Sequence, residues 1–235
     1  MKITTALFDL DGTLLPMDND EFTKSYFTLI TQTLAPHGYK PEELIKAIMT
    51  GITAMVKNDG IQSNEAAFWK AFSKIYGEKV FAHKPIFDEF YKTAFQNAKA
   101  SCGYDPKAAE AVRKLKESGY RVILATNPIF PGYAVESRLR WAGLSPKDFE
   151  WYTSYENIGF CKPNPRYYQE IVKRLNVSPE ECIMIGNDVT EDMIAQSLGM
   201  RVFLLTHCLI NKENKDISAF PHGSFEQLND YIAKL

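Results

Sequence analysis

From residue 103 onward, short apolar runs alternate with amphipathic segments, and this alternation constrains the fold more than any other feature of the chain. The runs over 121–125, 149–153, 181–185 and 201–205 read as strands. Helices are predicted between them. Asp105 caps one, with Pro106 in its first turn and Gly119 at its end. Others cover 133–141, 165–175 and 191–198, and Ser224 to Gln227 has the capping-box spacing of a last one. Strands joined through helices must run parallel, with right-handed crossovers and helices on both faces of the sheet. The apolar run over 3–8 stands apart at the start of the chain and has to pair back into that sheet.

Between that first run and residue 103 the pattern is helical throughout. Phe22, Tyr26, Leu29, Ile30 and Thr33 mark one face; Leu44, Ile48, Ile52 and Met55 mark a second, opened by Pro41. Phe68, Phe72 and Ile75 mark a third, and Phe87, Tyr91, Ala94 and Phe95 a fourth. Four amphipathic helices with short loops read as a small antiparallel bundle. Their aromatics, including Phe27 and Trp69, fall at core spacing.

The chain has 235 residues, 45% hydrophobic and 24% charged, enough for a large core without disulfide or metal staples. A net charge of -2, with Lys and Arg spread along the chain, gives no footprint for nucleic acid or an anionic membrane. Met1-Lys2-Ile3 leads into the first strand without a signal-peptide pattern, and no apolar run is long enough to cross a bilayer. A cytoplasmic location is expected. Cys102, Cys161, Cys182 and Cys208 have neither zinc nor disulfide-scaffold spacing, and His37, His83, His207 and His222 are isolated.

Ligands of such sheets bind beyond the carboxyl ends of the strands. Three strand ends here carry polar chemistry. The first reads Asp9-Leu10-Asp11-Gly12-Thr13, and residues i and i+2 of extended chain face one side. Alone, this is equally an Asp-Gly turn. The second end gives Thr126-Asn127-Pro128, and the third Gly186-Asn187-Asp188, with Asp192 four residues on. By themselves Asp188 and Asp192 read as an N-cap and a first-turn acid. Lys162 stands before Pro163-Asn164-Pro165, which stiffens its backbone. Clustered aspartates repel one another unless a cation is present, and oxygen-only ligation suits Mg²⁺ with water and phosphate as its other ligands. Thr126, backbone amides and Lys162 suit phosphate oxygens, and a carboxylate can serve as nucleophile. No phosphate-binding G-x-x-x-x-G-K-[ST] loop is present.

Taken in order, Asp9-Leu10-Asp11-Gly12-Thr13, Thr126-Asn127, Lys162-Pro163 and the segment from Gly186 to Asp192 resemble the four motifs of the haloacid dehalogenase superfamily. The helical insert matches the position of that superfamily's first cap type. The resemblance implies an α/β, Rossmann-like doubly wound core from 1–16 and 103–235, with an inserted all-α cap over 17–102. It implies a Mg²⁺-dependent phosphomonoesterase working through an aspartyl-phosphate on a small phosphorylated metabolite. Asp9 would be the nucleophile and Asp11 the acid and base. Thr126, Asn127 and Lys162 would hold the phosphoryl group. Asp9, the Asp11 carbonyl and Asp188 would ligate Mg²⁺, with Asp192 orienting those ligands. Asn187 intrudes between Gly186 and Asp188, so Asp188 and Asp192 both remain candidates for the direct contact; Asp188 lies closer to the strand end. Asp11 favours phosphate esters over carbon–halogen bonds, because an alkoxide needs a proton and a halide does not. A sugar-phosphate mutase is the alternative on the same residues, and a non-catalytic binding protein a remote one. The insert is expected to act as a lid that sets specificity, with Met17, Asp18 and Asn19 nearest the substrate.

Overall fold

A computed structural model describes residues 2–235; Met1, where the expected core segment begins, lies outside the described residues. The strands are β1 (Thr5–Phe8), β2 (Arg121–Leu124), β3 (Trp151–Tyr152), β4 (Cys182–Gly186), β5 (Arg201–Leu205) and β6 (His222–Gly223). They form one sheet in the order β3-β2-β1-β4-β5-β6, and every pairing is parallel. β1 is therefore central. The chain winds outward from it through β2 and β3, then returns to its other side for β4, β5 and β6. The reversal falls between β1 and β4, where a crevice is expected.

Side-chain alternation divides the core between the two faces. Ala6, Phe8, Ile183 and Ile185 pack on one face, with α5 (Pro106–Glu117), α6 (Gly132–Trp141) and α8 (Phe225–Ile232). Leu7, Ile123, Met184 and Leu204 pack on the other, with α7 (Pro165–Leu175). Because both faces are covered, the strands are near-continuous apolar runs.

The segment between β1 and β2 is helical, with α1 (Asn19–Leu34), α2 (Pro41–Val56), α3 (Asn64–Tyr76) and α4 (Lys84–Lys92). Its ends meet at a narrow neck, where Met17 bridges Cys102 and the Gly103 amide donates to Pro16 O at 2.7 Å. Phe22, Tyr26, Phe90 and Phe95 stack edge-to-face in its core, and Phe130, from the loop after β2, joins them. A second tie lies at the start of α3. Asn64 N donates to Ile158 O at 3.0 Å and Glu65 N to Tyr155 O at 2.7 Å.

Several expectations change. The helix expected over 191–198 is instead a 3-10 helix, Met193–Leu198, preceded by a turn whose amides are held by the side chains of Asp188 and Asp192. The strand expected over 149–153 shrinks to Trp151–Tyr152. β6 is two residues long, too short to show a period. On the helical faces Ile75 is 48% exposed, and Thr31 rather than Thr33 is buried. The fourth helix stops at Lys92, and Phe95 lies on a following 3-10 helix, Ala94–Ser101.

Candidate active site

The β1 ladder carries Asp9 to the crevice, its amide donating to Ile185 O at 2.9 Å. Gly12 then turns the chain at φ 82, and a Cβ there would run into the Asn187 amide group. Thr13 Oγ1 donates to Asn187 Oδ1 at 2.8 Å, and Asn187 Nδ2 donates to Cys208 O at 2.7 Å. Asn187 thus clamps the first motif to the fourth, with both ends of its side chain occupied. The next carboxylate, Asp188, faces the cavity.

Asp9, Asp11, Thr126, Asn127, Asp188 and Asp192 all line one cavity of about 360 Å³. Lys162 lies beneath it, buried, with Nζ 2.8 Å from Asp9 Oδ1 and 2.7 Å from Asp192 Oδ1. The peptide bond between Lys162 and Pro163 is cis. Burial alone would lower the Lys162 pKa; Asp192 and then Asp9 outweigh it and hold the ammonium well above its ordinary value. Burial pushes the Asp192 carboxyl up, against the pull of Lys162. Its Oδ2 accepts from the amides of Asn187 and Asp188, each at 3.0 Å. Gly186 makes room for this carboxylate, since a Cβ there would collide with it. Asp192 therefore braces Lys162 and the fourth-motif turn. Asp188 Oδ1 accepts from Thr190 N at 2.7 Å and Glu191 N at 2.9 Å, the capping role its position suggested.

Thr126 and Asn127 follow β2. Thr126 O accepts from Thr153 Oγ1 at 2.7 Å and Tyr167 OH at 2.8 Å, which fixes the backbone of the second motif. Asn127 Nδ2 donates to Glu191 Oε2 at 3.0 Å. Burial, opposed by Lys162, raises the Glu191 carboxyl to about 7. Beside Asp9, the Asp11 carboxylate pairs with Arg138 of α6. Burial raises the Asp11 carboxyl, Arg138 pulls it back, and Asp9 adds to the rise.

Arg138 did not emerge from sequence reasoning, and Glu191 and Asn187 appeared there only inside the fourth motif, with no role. For Arg138 a signal existed, since it shares a helical stripe with Ala134, Val135 and Leu139, all buried. Asp18 is corrected. It is the N-cap of α1, accepting from Asp20 N and Glu21 N, and it is exposed, whereas Met17 and Asn19 line the cavity.

Five carboxylates, those of Asp9, Asp11, Asp188, Glu191 and Asp192, line the cavity against two buried cations, Lys162 and Arg138. Asp11 Oδ1 and Asn127 Oδ1 are buried without a hydrogen-bond donor. Excess negative charge and carboxylate and amide oxygens gathered at one end of the cavity fit a hard divalent cation. Among the described residues no three His, Cys, Asp or Glu side chains form a metal cluster by themselves. Backbone and water oxygens would have to complete the shell, as is usual for Mg²⁺.

The sequence model of the haloacid dehalogenase-like hydrolases matches residues 3–197. The chain belongs to this family. It is similar to the pyrophosphatase PpaX of Bacillus cereus, 26% identical over 201 residues that cover 86% of this chain and 82% of that protein. Among solved structures, a 2-haloacid dehalogenase from Pseudomonas syringae superposes with a TM-score of 0.65 at 17% identity, covering 99% of each chain. The hydrolase YfnB of Bacillus subtilis, bound to magnesium, superposes with a TM-score of 0.56 at 18% identity, covering 99% of this chain and 100% of its own. This family member is thus a hydrolase with the expected doubly wound core and a helical segment between β1 and β2. No helix among the described residues is long and apolar enough to cross a membrane.

Proposed function

We propose that the chain is a Mg²⁺-dependent phosphomonoesterase that acts on a small phosphorylated metabolite through a phosphoryl group carried by Asp9. One observation carries this reading. Lys162 is buried between Asp9 and Asp192, with Asp11 two residues from Asp9 at the same cavity. A fixed cation on the nucleophile's carboxylate stabilises the charge that gathers as phosphorus is attacked.

In this reading an Asp9 carboxylate oxygen attacks phosphorus, and the P–O bond to the leaving group breaks. Protonated Asp11 gives its proton to the departing alkoxide; its raised carboxyl suits that task. Asp11 then takes a proton from the water that attacks the phosphoryl group. Inorganic phosphate leaves, and the Asp9 carboxylate is restored. Thr126, the Asn127 amide and Lys162 hold the phosphoryl oxygens. Asp9, the Asp11 carbonyl and Asp188 would hold Mg²⁺, with Asp192 keeping the fourth-motif turn and Lys162 in place. When bound, the metal would neutralise phosphoryl charge and align the phosphate for in-line transfer. Residues 17–102 form the cap over a core of 1–16 and 103–235.

Hydrolysis of p-nitrophenyl phosphate with Mg²⁺ tests this. Asp9→Asn should abolish turnover while circular dichroism shows an unchanged fold. Full activity in that variant would overturn the proposal.

A further inference from the structure

Beyond the motif residues the walls are mostly apolar, with Asn19, Thr23 and Lys212 as the polar exceptions. Away from Asp9 the 360 Å³ cavity is bounded by Phe22, Tyr26, Met49, Ile52 and Phe130. A second cavity, of about 40 Å³, shares Tyr26, Ile52, Ile129 and Phe130 with it and continues between the helices. Phe68, Trp69, Phe87 and Asp88 close its far side. A packing void in a helical core is lined by apolar atoms alone. This one includes the Asp88 carboxylate and the polar edges of Trp69, Tyr91 and Tyr155, with the Trp69 indole hydrogen-bonded towards Tyr155.

Charge separates the possible leaving groups. Among the described residues no Lys, Arg or His lines the second cavity, and Lys212 is the one that lines the first. Lys212 is exposed on the segment after β5, two residues from the Ile210 that bridges Asp188. A second phosphate or a carboxylate needs fixed cations where it is desolvated, and an unpaired buried charge is costly. The helical side offers Asp88 instead, which repels an anion.

We propose that the substrate's leaving group is uncharged and carries an aromatic or branched apolar body against Tyr26, Ile52 and Phe130. A hydroxyl-sized polar end would reach Asp88. The size of the second cavity sets that limit, since 40 Å³ admits a few atoms and not a ring. Diphosphates and phosphorylated carboxylic acids are disfavoured by the same walls. This inference rests on the phosphomonoesterase reading and narrows its substrate class.

The test compares kcat/KM for ethyl phosphate, 2-phenylethyl phosphate, phosphoglycolate and pyrophosphate with Mg²⁺. The first two release alkoxides of similar basicity, so their ratio reports the walls. 2-Phenylethyl phosphate should exceed ethyl phosphate by about tenfold or more. Phosphoglycolate and pyrophosphate should fall below ethyl phosphate. Ile52→Lys should shrink the phenyl preference and raise relative turnover of phosphoglycolate. A readout without turnover is binding of 2-phenylethylphosphonate and ethylphosphonate to Asp9→Asn protein, followed by intrinsic fluorescence with Trp69→Phe as control. Tighter binding of the phenyl compound supports the apolar subsite, and equal binding overturns it. If phosphoglycolate or pyrophosphate matches the phenyl ester while ethyl phosphate is also hydrolysed, this inference falls and the phosphatase reading stands. If no ester is hydrolysed, the phosphatase reading falls, and the phosphonate comparison still decides the subsite.

Discussion

Arg138 is wholly buried in α6, and its Nη1 donates to Asp11 Oδ2 at the mouth of the site. Its Nε donates to Ala134 O at 3.2 Å, and the guanidinium lies 4.4 Å from the centroid of Phe130. The residue assigned as acid and base is therefore held by the sheet domain's own helix, not by the insert. Removing one partner of a buried pair strands the other charge. Arg138→Met should lower stability by about 3 kcal/mol, read from the urea midpoint, and should slow turnover. An Asp11→Asn, Arg138→Met double variant should lose less than the sum of the two single variants. Additive losses would show that the two residues do not act as a pair.

Asn64 joins the insert to two motif loops at once. Its Nδ2 lies 3.2 Å from Pro128 O, 3.4 Å from Phe160 O and 3.3 Å from Cys161 Sγ, and its Oδ1 accepts from Asn58 Nδ2 at 2.9 Å. Asn64→Ala removes the donor to Pro128 O, Phe160 O and Cys161 Sγ, while Asn58 Nδ2 keeps only Gln62 O. It should cost about 2 kcal/mol in chemical denaturation. Ser63→Ala, at the half-buried cap of the same helix, should cost about 1 kcal/mol. Equal losses in the two variants would mean that the amide bridges add nothing beyond helix capping.

Burial pushes the thiols of Cys161 and Cys182 up to about 12, and that of Cys102 to about 11. A raised thiol pKa means less thiolate at a given pH, and thiolate is the reactive form. At pH 8 a thiol of pKa about 12 is ionised in about one molecule in ten thousand. Cys208 is half-buried on the segment after β5. A disulfide reagent at pH 8 should therefore show one fast thiol in the native protein, lost in Cys208→Ser, and all four thiols in urea. Fast modification of Cys161 would mean that the core opens readily at the third motif.

The sheet was legible because its two-sided burial leaves apolar runs between helices bounded by Gly and Pro. The four helices were legible from periodicity, apart from the off-face Ile75 and Thr33 and the end of the fourth, which passes into a 3-10 helix before Phe95. What stayed hidden depends on tertiary contact. Nothing local to Arg138 shows that it meets Asp11, a residue 127 positions away. The 3-10 helix after Asp192 could not be read as such, because a six-residue segment shows too little periodicity to tell it from an α-helix. The motif residues themselves were visible in sequence. That Lys162 lies between Asp9 and Asp192 was not, since its two partners follow two different strands, β1 and β4, far from it in sequence.

The role of Asp9 is tested most directly by trapping its phosphoryl group. Protein turning over p-nitrophenyl phosphate with Mg²⁺ should be quenched in acid within the first turnover, then weighed intact and mapped by peptide. One added phosphoryl group on Asp9, absent in Asp9→Asn and discharged at neutral pH, is the expected outcome. A first-turnover release of p-nitrophenol with no phosphoryl group on the chain, or with that group on another residue, would contradict it.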